Sequence, residues 1–257
     1  MTTVPADLAG EFELRRAPSR VALVRSGFGP AFDALGLFTS AAPDADARSP
    51  AGGRGGAWVA GDGEGGRIVV RPGRRGGWPG RLIRSRYFLG DRFLSELILT
   101  ERLRRRGAPV PEPLAAVRAE RRVGYETWLV SRKIPGAAAA DVLRGASADE
   151  IPVVLRAMGR AVAGLHRAGG DHADLNAWNL LVEGRSAPDR DAYVIDLDRG
   201  RLRPGPLDAK RAAANLARLK RSLRKCGLEA ALAAWPAFER GYDGVPGDST
   251  PTAGAAS

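Results

Sequence analysis

Residues 171–200, DHADLNAWNLLVEGRSAPDRDAYVIDLDRG, constrain the fold more than any other part of the chain. They set an Asp two residues after a His, an Asn five residues after that Asp, and a second acidic cluster at the end of a later apolar run. NLLV and AYVIDL read as short apolar strands on either side, and three oxygen-bearing side chains would meet there. Mg²⁺ is a hard cation that takes one or two carboxylate or amide oxygens together with phosphates and waters. A hydroxyl attacking a phosphate needs a carboxylate to orient it and accept its proton. Asp174 suits the base role, Asn179 can ligate metal through its amide oxygen without adding charge, and Asp196 closes the metal site after Tyr193-Val194-Ile195. Taken singly, Asp and Asn simply populate turns. Their order and their flanking strands are what point to phosphoryl transfer from a Mg-nucleotide.

His172, Asp174, Asn179 and Asp196 fit, position by position, the pattern H-x-D-x-x-x-x-N followed by an Asp after a hydrophobic strand. The chain thus resembles the protein-kinase-like phosphotransferases. That resemblance implies a two-lobed α+β fold, with a small, mainly antiparallel β N-lobe and a helical C-lobe, using ATP and Mg²⁺. Where protein kinases have Asp-Phe-Gly, this chain has Asp196-Leu197-Asp198, which resembles the small-molecule kinase branch.

Upstream, GGRGGAWVA sets glycines ahead of a short apolar strand, the turn GDGEGG follows, and then comes the strand Arg67-Ile68-Val69-Val70-Arg71. Glycines let a backbone approach phosphate oxygens and present N–H groups to them, so Gly53, Gly55 and Gly56 are candidates for a nucleotide loop. In a chain with 33 glycines such a hairpin alone reads as an ordinary turn; its place ahead of two strands favours phosphate. In the kinase pattern a basic residue on the third strand grips the phosphates and pairs with an acid on the following helix. Arg71 stands where most kinases have Lys, and its planar fork can bind phosphate or a carboxylate in bidentate fashion. The expected partner is Glu96, in a helical stretch Arg92–Arg105 where Phe93 and Leu97, Leu94 and Ile98 repeat at four-residue spacing; Glu101 is the fallback. Between strand and helix, RPGRRGGWPGRLIRSRY is dense in Arg, with Trp78 and Tyr87 interspersed. Arg74 and Arg75 are candidates there for an acidic substrate or an anionic membrane surface, against the competing reading of a solvated basic loop.

The organisation expected is a poorly readable, partly ordered region 1–50, an N-lobe over 51–132, a C-lobe over 133–244 and a disordered tail over 245–257. Within the first region, 21–24 reads as a strand and 32–38 as a short helix. Residues 114–117 and 125–131 read as paired strands, and Lys133-Ile134-Pro135-Gly136 as a hinge. Ser147-Ala148-Asp149-Glu150 has the form of a capping box ahead of a helix with a buried stripe at Leu155, Met158, Val162 and Leu165. His166 on that helix reads as a packing residue, because no second His or Cys stands at metal spacing. Ala209–Lys225 is helical by period, with Leu216, Leu219 and Leu223 on one stripe and Arg218, Lys220, Arg221 and Arg224 around it. Trp235 and Tyr242 are expected to pack the last helical region.

A chain of 257 residues can bury a full core as one two-lobed domain. Its net charge of +11 points to an anionic partner, although part of the Arg excess reads as genomic background. Cys226 is the only cysteine, so an internal disulfide and a thiolate metal cluster are both excluded. No apolar run approaches the ~20 residues of a membrane-spanning helix, and the N-terminus lacks the apolar stretch of a secretory signal, so a cytoplasmic protein is expected.

Several stretches coincide with one family: RGGAW at 54–58, VVRPGRRGGWPG at 69–80, SELILTERLRRRGAPVPEPLAA at 95–116, HADLNAWNLLV at 172–182, VIDLDRG at 194–200 and NLARLKRSLRK at 215–225. By these the chain resembles the bacterial lipopolysaccharide kinases, most closely those acting on 3-deoxy-D-manno-octulosonic acid (Kdo). The resemblance implies ATP-dependent phosphorylation of a Kdo hydroxyl on a lipid A precursor at the cytoplasmic face of the inner membrane. By it, Asp174 is the base, Asn179 and Asp196 are the metal ligands, and Arg71 and Glu96 are the phosphate-gripping pair. An anionic glycolipid acceptor and peripheral contact with an anionic membrane are implied; nucleic acid and a stable protein partner are not. The first 50 residues and the glycine-rich insert near Gly61 match nothing in that family pattern.

Two other readings share these residues. A small-molecule kinase of the aminoglycoside or choline type uses the same Asp174, Asn179 and Asp196 logic, but favours acidic pockets for cationic acceptors, which the Arg excess opposes. A catalytically dead kinase fold that binds only an anionic lipid or nucleic acid is the alternative from another class.

Overall fold

The computed structural model describes residues 3–38, 49–50, 56–63, 65–73, 92–122, 124–183 and 190–244. After a 3₁₀ turn at Ala6–Leu8, strands β1 (Phe12–Ala17) and β2 (Arg20–Arg25) form a hairpin, followed by helix α1 (Gly29–Ala34), where a helix over 32–38 is expected. Pro30 at the start of α1 explains the earlier onset, since proline's fixed φ suits the first helical turn. Then come β3 (Ser49–Pro50), β4 (Trp58–Gly61), β5 (Arg67–Pro72), α2 (Arg92–Arg105), β6 (Pro113–Glu120) and β7 (Tyr125–Arg132). The strands make one seven-stranded antiparallel sheet in the order β1-β2-β6-β7-β5-β4-β3.

Strand alternation sorts the side chains of this sheet into two cores. Leu23, Ala116 and Leu129 lie opposite one another across β2, β6 and β7, and pack under Leu94 and Leu97 of α2. Their neighbours Val24, Ala115 and Val130 face the other way, onto Phe28 and Phe32 around α1. A one-residue slip of β6 would exchange these two sets, so the register is tightly specified. Leu94 and Leu97 realise the expected stripe of α2 and seat that helix against β6 and β7. Phe93 falls outside the described side chains.

The second half is helical: β8 (Gly136–Ala138), α3 (Ala139–Gly145), α4 (Glu150–Arg167), β9 (Gly170–Asp171), β10 (Leu180–Glu183), β11 (Ala192–Val194), β12 (Arg201–Leu202), α5 (Ala209–Lys225), α6 (Glu229–Ala233) and α7 (Trp235–Asp243). β11, β10 and β8 form a small sheet, and β12 pairs with β9. The start of α4 carries half of the expected capping box. The Glu150 carboxylate accepts from the Ser147 N–H at 2.9 Å and from its hydroxyl at 3.1 Å, while the Glu150 N–H goes to the Ser147 carbonyl. Leu155, Met158, Val162 and Leu165 of α4 are all buried and anchor the larger core. α4 and α7 approach backbone to backbone: a Cβ at Gly159 would collide with the Phe238 carbonyl, and one at Gly241 with the Arg156 carbonyl.

That crossing encloses His166, whose Nδ1 lies 2.7 Å from the Tyr242 hydroxyl and whose Nε2 is buried with no partner among the described residues. Burial pulls its pKa from 6.5 down to about 4, so the folded protein holds the ring neutral. A depressed histidine pKa contributes stability that is fully present above the unfolded value of 6.5 and is lost as pH falls through about 4. The loss amounts to about 3 kcal/mol across that window, at 1.36 kcal/mol per pKa unit. Urea denaturation of wild type and His166→Gln at closely spaced pH values should diverge in slope between about pH 6.5 and 4 and run parallel above it. Parallel curves throughout would mean the ring titrates normally.

Candidate active site

The segment from Asp171 to Asp174 is held from both ends. Asp171 pairs with Arg201 through β9 and β12 and takes an ion pair from Arg203 at 2.9 Å. His172 is fully buried, and its backbone N–H donates to Asn215 Oδ1 of α5 at 3.2 Å. Its ring carries a defined tautomer: Nε2 donates to the Ile195 carbonyl at 3.1 Å, and Nδ1 accepts from the Asp174 N–H at 3.1 Å. Burial keeps the pKa of this imidazole below its ordinary value, outweighing the Ile195 carbonyl and the Asp196 and Asp174 carboxylates. One neutral histidine therefore joins the loop that carries Asp174 to the strand end that carries Asp196.

The rest of the loop fixes its own acceptors and donors. Asn176 Nδ2 donates to the Asp174 carbonyl at 2.9 Å and to Asp174 Oδ2 at 3.2 Å, which aims the carboxylate. Asn179 Nδ2 donates to the Asp174 carbonyl at 2.9 Å, and its own carbonyl accepts from the Ile195 N–H at 3.0 Å. With the amide nitrogen committed to Asp174, the Asn179 Oδ1 is turned away from that bond and has no hydrogen bond among the described residues. Ser222 of α5 takes the Ala177 N–H at 3.1 Å, a second anchor beside Asn215. Asp174 itself is exposed.

Arg71 of β5 lies between two acids. Its guanidinium is 2.5 Å from Glu96 of α2 and 3.2 Å from Asp196. Burial works against the charge of Arg71, but Glu96 and Asp196 outweigh it and hold the group above its ordinary value. Burial also raises the Glu96 carboxyl above the usual range, with Asp196 adding to the rise and Arg71 opposing it. Asp196 adopts φ +60°, left-handed backbone that costs a non-glycine residue about 1–3 kcal/mol and persists only where the surroundings impose it. Glu101, the fallback partner, binds elsewhere: it is fully buried and is held by Arg25, Arg104 and Arg105.

The structure thus brings Asp174, Asn179, Asp196, Arg71 and Glu96 into one connected set. Gly56 is described, with φ +65°, just ahead of β4. Gly53, Gly55, Arg74 and Arg75 lie outside the described residues, as do Trp78 and Tyr87. Among the described residues no three His, Cys, Asp or Glu side chains form a metal cage. One amide oxygen and one carboxylate are nevertheless a donor set suited to Mg²⁺, which prefers few protein ligands alongside phosphates and waters. Asn215 and Asn176 join this set without a motif in the sequence that marks them. The one available signal for Asn215 was an uncharged polar residue on the buried side of a basic amphipathic helix.

Residues 42–242 match the Lipopolysaccharide kinase (Kdo/WaaP) family. A 3-deoxy-D-manno-octulosonic acid kinase of Xylella fastidiosa (strain M12) is 39% identical over 196 residues, 74% of each chain. Another, of Xanthomonas campestris pv. campestris (strain B100), is 39% identical over 184 residues, 68% of each. The solved structure of WaaP in complex with acyl carrier protein covers 88% of this chain and 89% of that chain, with TM-score 0.53 and 19% identity, and shows a shared fold. The chain belongs to the lipopolysaccharide kinase (Kdo/WaaP) family, as a phosphotransferase built on the two-lobed, protein-kinase-like α+β fold.

Proposed function

We infer that this protein phosphorylates a hydroxyl of Kdo on a lipid A precursor, with Mg-ATP as donor. The observation that carries the reading is the connected set around His172, in which the Asp174 loop and the Asp196 strand end share hydrogen bonds while Arg71 bridges Asp196 to Glu96. Asp174 orients the acceptor hydroxyl and takes its proton, with Asn176 holding its carboxylate. Arg71 binds the nucleotide phosphates, kept in place by Glu96. Asn179 and Asp196 would hold Mg²⁺, which supplies charge neutralisation for the phosphates when bound. Gly53, Gly55 and Gly56 form the phosphate-facing loop, and Arg74 and Arg75 meet the acidic acceptor.

The curated relatives at 39% identity are named for this sugar acid, which supports the choice of acceptor. No helix among the described residues is long and apolar enough to cross a membrane. The exposed Arg211, Arg221, Arg224 and Lys225 of α5 support peripheral contact with an anionic surface at the cytoplasmic face of the inner membrane. The test is the mass of purified Kdo-lipid A precursor after incubation with the protein and Mg-ATP. Gain of one phosphoryl group is expected, and an unchanged mass beside an active nucleotide site would overturn the acceptor.

A further inference from the structure

A cavity of about 720 Å³ opens between α2 and the segment that follows Asp196. One wall is apolar, built from Ile98 and Leu99 of α2 with Leu197 and Leu202 opposite. Gly200 seals that wall, since a Cβ there would come within 2.9 Å of Leu99 Cδ2 and 2.8 Å of the Leu197 carbonyl. Four arginines also line the cavity, but they are not equivalent. Arg102 is committed to Asp7 at 2.7 Å and Arg203 to Asp171 at 2.9 Å. Arg199 and Arg201 are exposed and have no ion pair among the described residues.

Both free guanidiniums are tied to the catalytic segment. Arg201 sits opposite Asp171 in the β9–β12 pair, one residue before His172. Arg199 has φ +62°, a backbone state that an arginine adopts only where its surroundings impose it. The acids that line the same space, Glu96 and Asp198, both act on Arg71, and Glu96 is directly paired with it. Two cations without an ion pair among the described residues therefore remain, beside an apolar wall and next to the residues of phosphoryl transfer. The volume is that of a small-molecule site, and paired guanidiniums are suited to carboxylate or phosphate.

We propose that this cavity is the anion subsite for the acceptor: Arg199 and Arg201 hold a carboxylate or phosphate of an acidic glycolipid whose apolar part lies against the leucine wall. The assignment rests on the proposed glycolipid kinase activity, and places acceptor recognition on the short segment after Asp196 in addition to the Arg74 and Arg75 region.

The test compares wild type with Arg199→Ala/Arg201→Ala and with Arg199→Lys/Arg201→Lys. Loss of even one charged hydrogen bond corresponds to about tenfold in affinity, so the double alanine variant should raise the acceptor KM about tenfold or more, while the KM for Mg-ATP moves less than about twofold. The lysine variant should recover part of the loss. An unchanged acceptor KM in a variant paired with an active wild type overturns the subsite and leaves the kinase reading standing. If wild type transfers nothing to Kdo-lipid, the activity reading fails, and the subsite is judged by binding of the same lipid in detergent micelles. Weaker binding by the alanine variant supports it, whereas equal binding, or none by wild type, overturns it. Repeating the measurement with a phosphorylated lipid A precursor lacking Kdo, and with a dephosphorylated Kdo-lipid, identifies which anion the arginines hold. The acceptor missing that group loses its sensitivity to the double substitution, and insensitivity of all acceptors overturns the proposal.

Discussion

Asp174→Ala is expected to lower kcat with the Kdo-lipid acceptor by about 10²–10⁴-fold, the contribution of a positioned general base. The loss should fall on turnover, because the substitution deletes only the carboxylate. The bonds that shape the loop use backbone atoms of residue 174: its N–H goes to His172 Nδ1, and its carbonyl accepts from both Asn176 and Asn179. These survive truncation of the side chain. An exposed residue without buried contacts changes stability by only about 0.5 kcal/mol or less, so thermal melting should stay within about a degree or two of wild type. Steady-state kinetics, together with a nucleotide-binding titration, separate the possibilities. Lost turnover with retained nucleotide affinity fits the base role. Full turnover in the alanine variant would remove Asp174 from the chemistry and leave it as a loop-shaping residue.

The parts of this site that could be read from the chain are those set by local spacing. His172, Asp174 and Asn179 occupy one loop, so their relation is fixed by a handful of backbone dihedrals and is visible as a motif. Arg71 and Glu96 are 25 residues apart, yet the strand before and the four-residue stripe after identify their elements, and Leu94 and Leu97 seat the helix as the pattern suggests. Asn215 is a different case. It lies 43 residues beyond His172, and although the period of α5 sets it on the buried side with Leu219 and Leu223, nothing local tells which distant backbone group it meets. β1 was hidden for a related reason: FELRRA buries only Phe12 fully, so its pairing with β2, rather than any alternation of its own, defines it. The partners of Glu101 are equally remote, because Arg25 approaches from β2 across 76 positions.

That remoteness makes Glu101 the more informative structural target, and Glu101→Ala is expected to destabilise the fold by about 3–5 kcal/mol, the usual result of breaking a buried ion pair from one side. Its carboxylate is fully buried and accepts from Arg104 through two contacts at 3.0 Å, from Arg105 at 3.3 Å, and from Arg25. Burial alone would raise its pKa; the bonds from Arg104 and Arg25 outweigh that and hold the carboxyl below its ordinary value. The folded pKa is thus depressed, so the cluster contributes fully above the unfolded carboxylate range and fades only as pH falls through the lower folded value. Truncation leaves Arg25, itself only 14% exposed, with its Nε still bonded to the Pro113 carbonyl at 2.9 Å but its charge facing the vacated space, compensated only by longer ion pairs to Glu11 and Glu112 at 3.8 and 3.5 Å. For a domain of this size the melting temperature should fall on the order of 10 °C. Activity should fall too, because Glu96 lies on the same helix and depends on the seating of α2 to reach Arg71. A second variant separates packing from charge: Arg25→Met together with Glu101→Leu removes both members, and should recover much of the lost stability because no buried charge is left unpaired. Melting of Glu101→Ala within a degree of wild type would show that α2 is held by Leu94, Leu97 and the sheet alone, with the arginine cluster contributing nothing to its position.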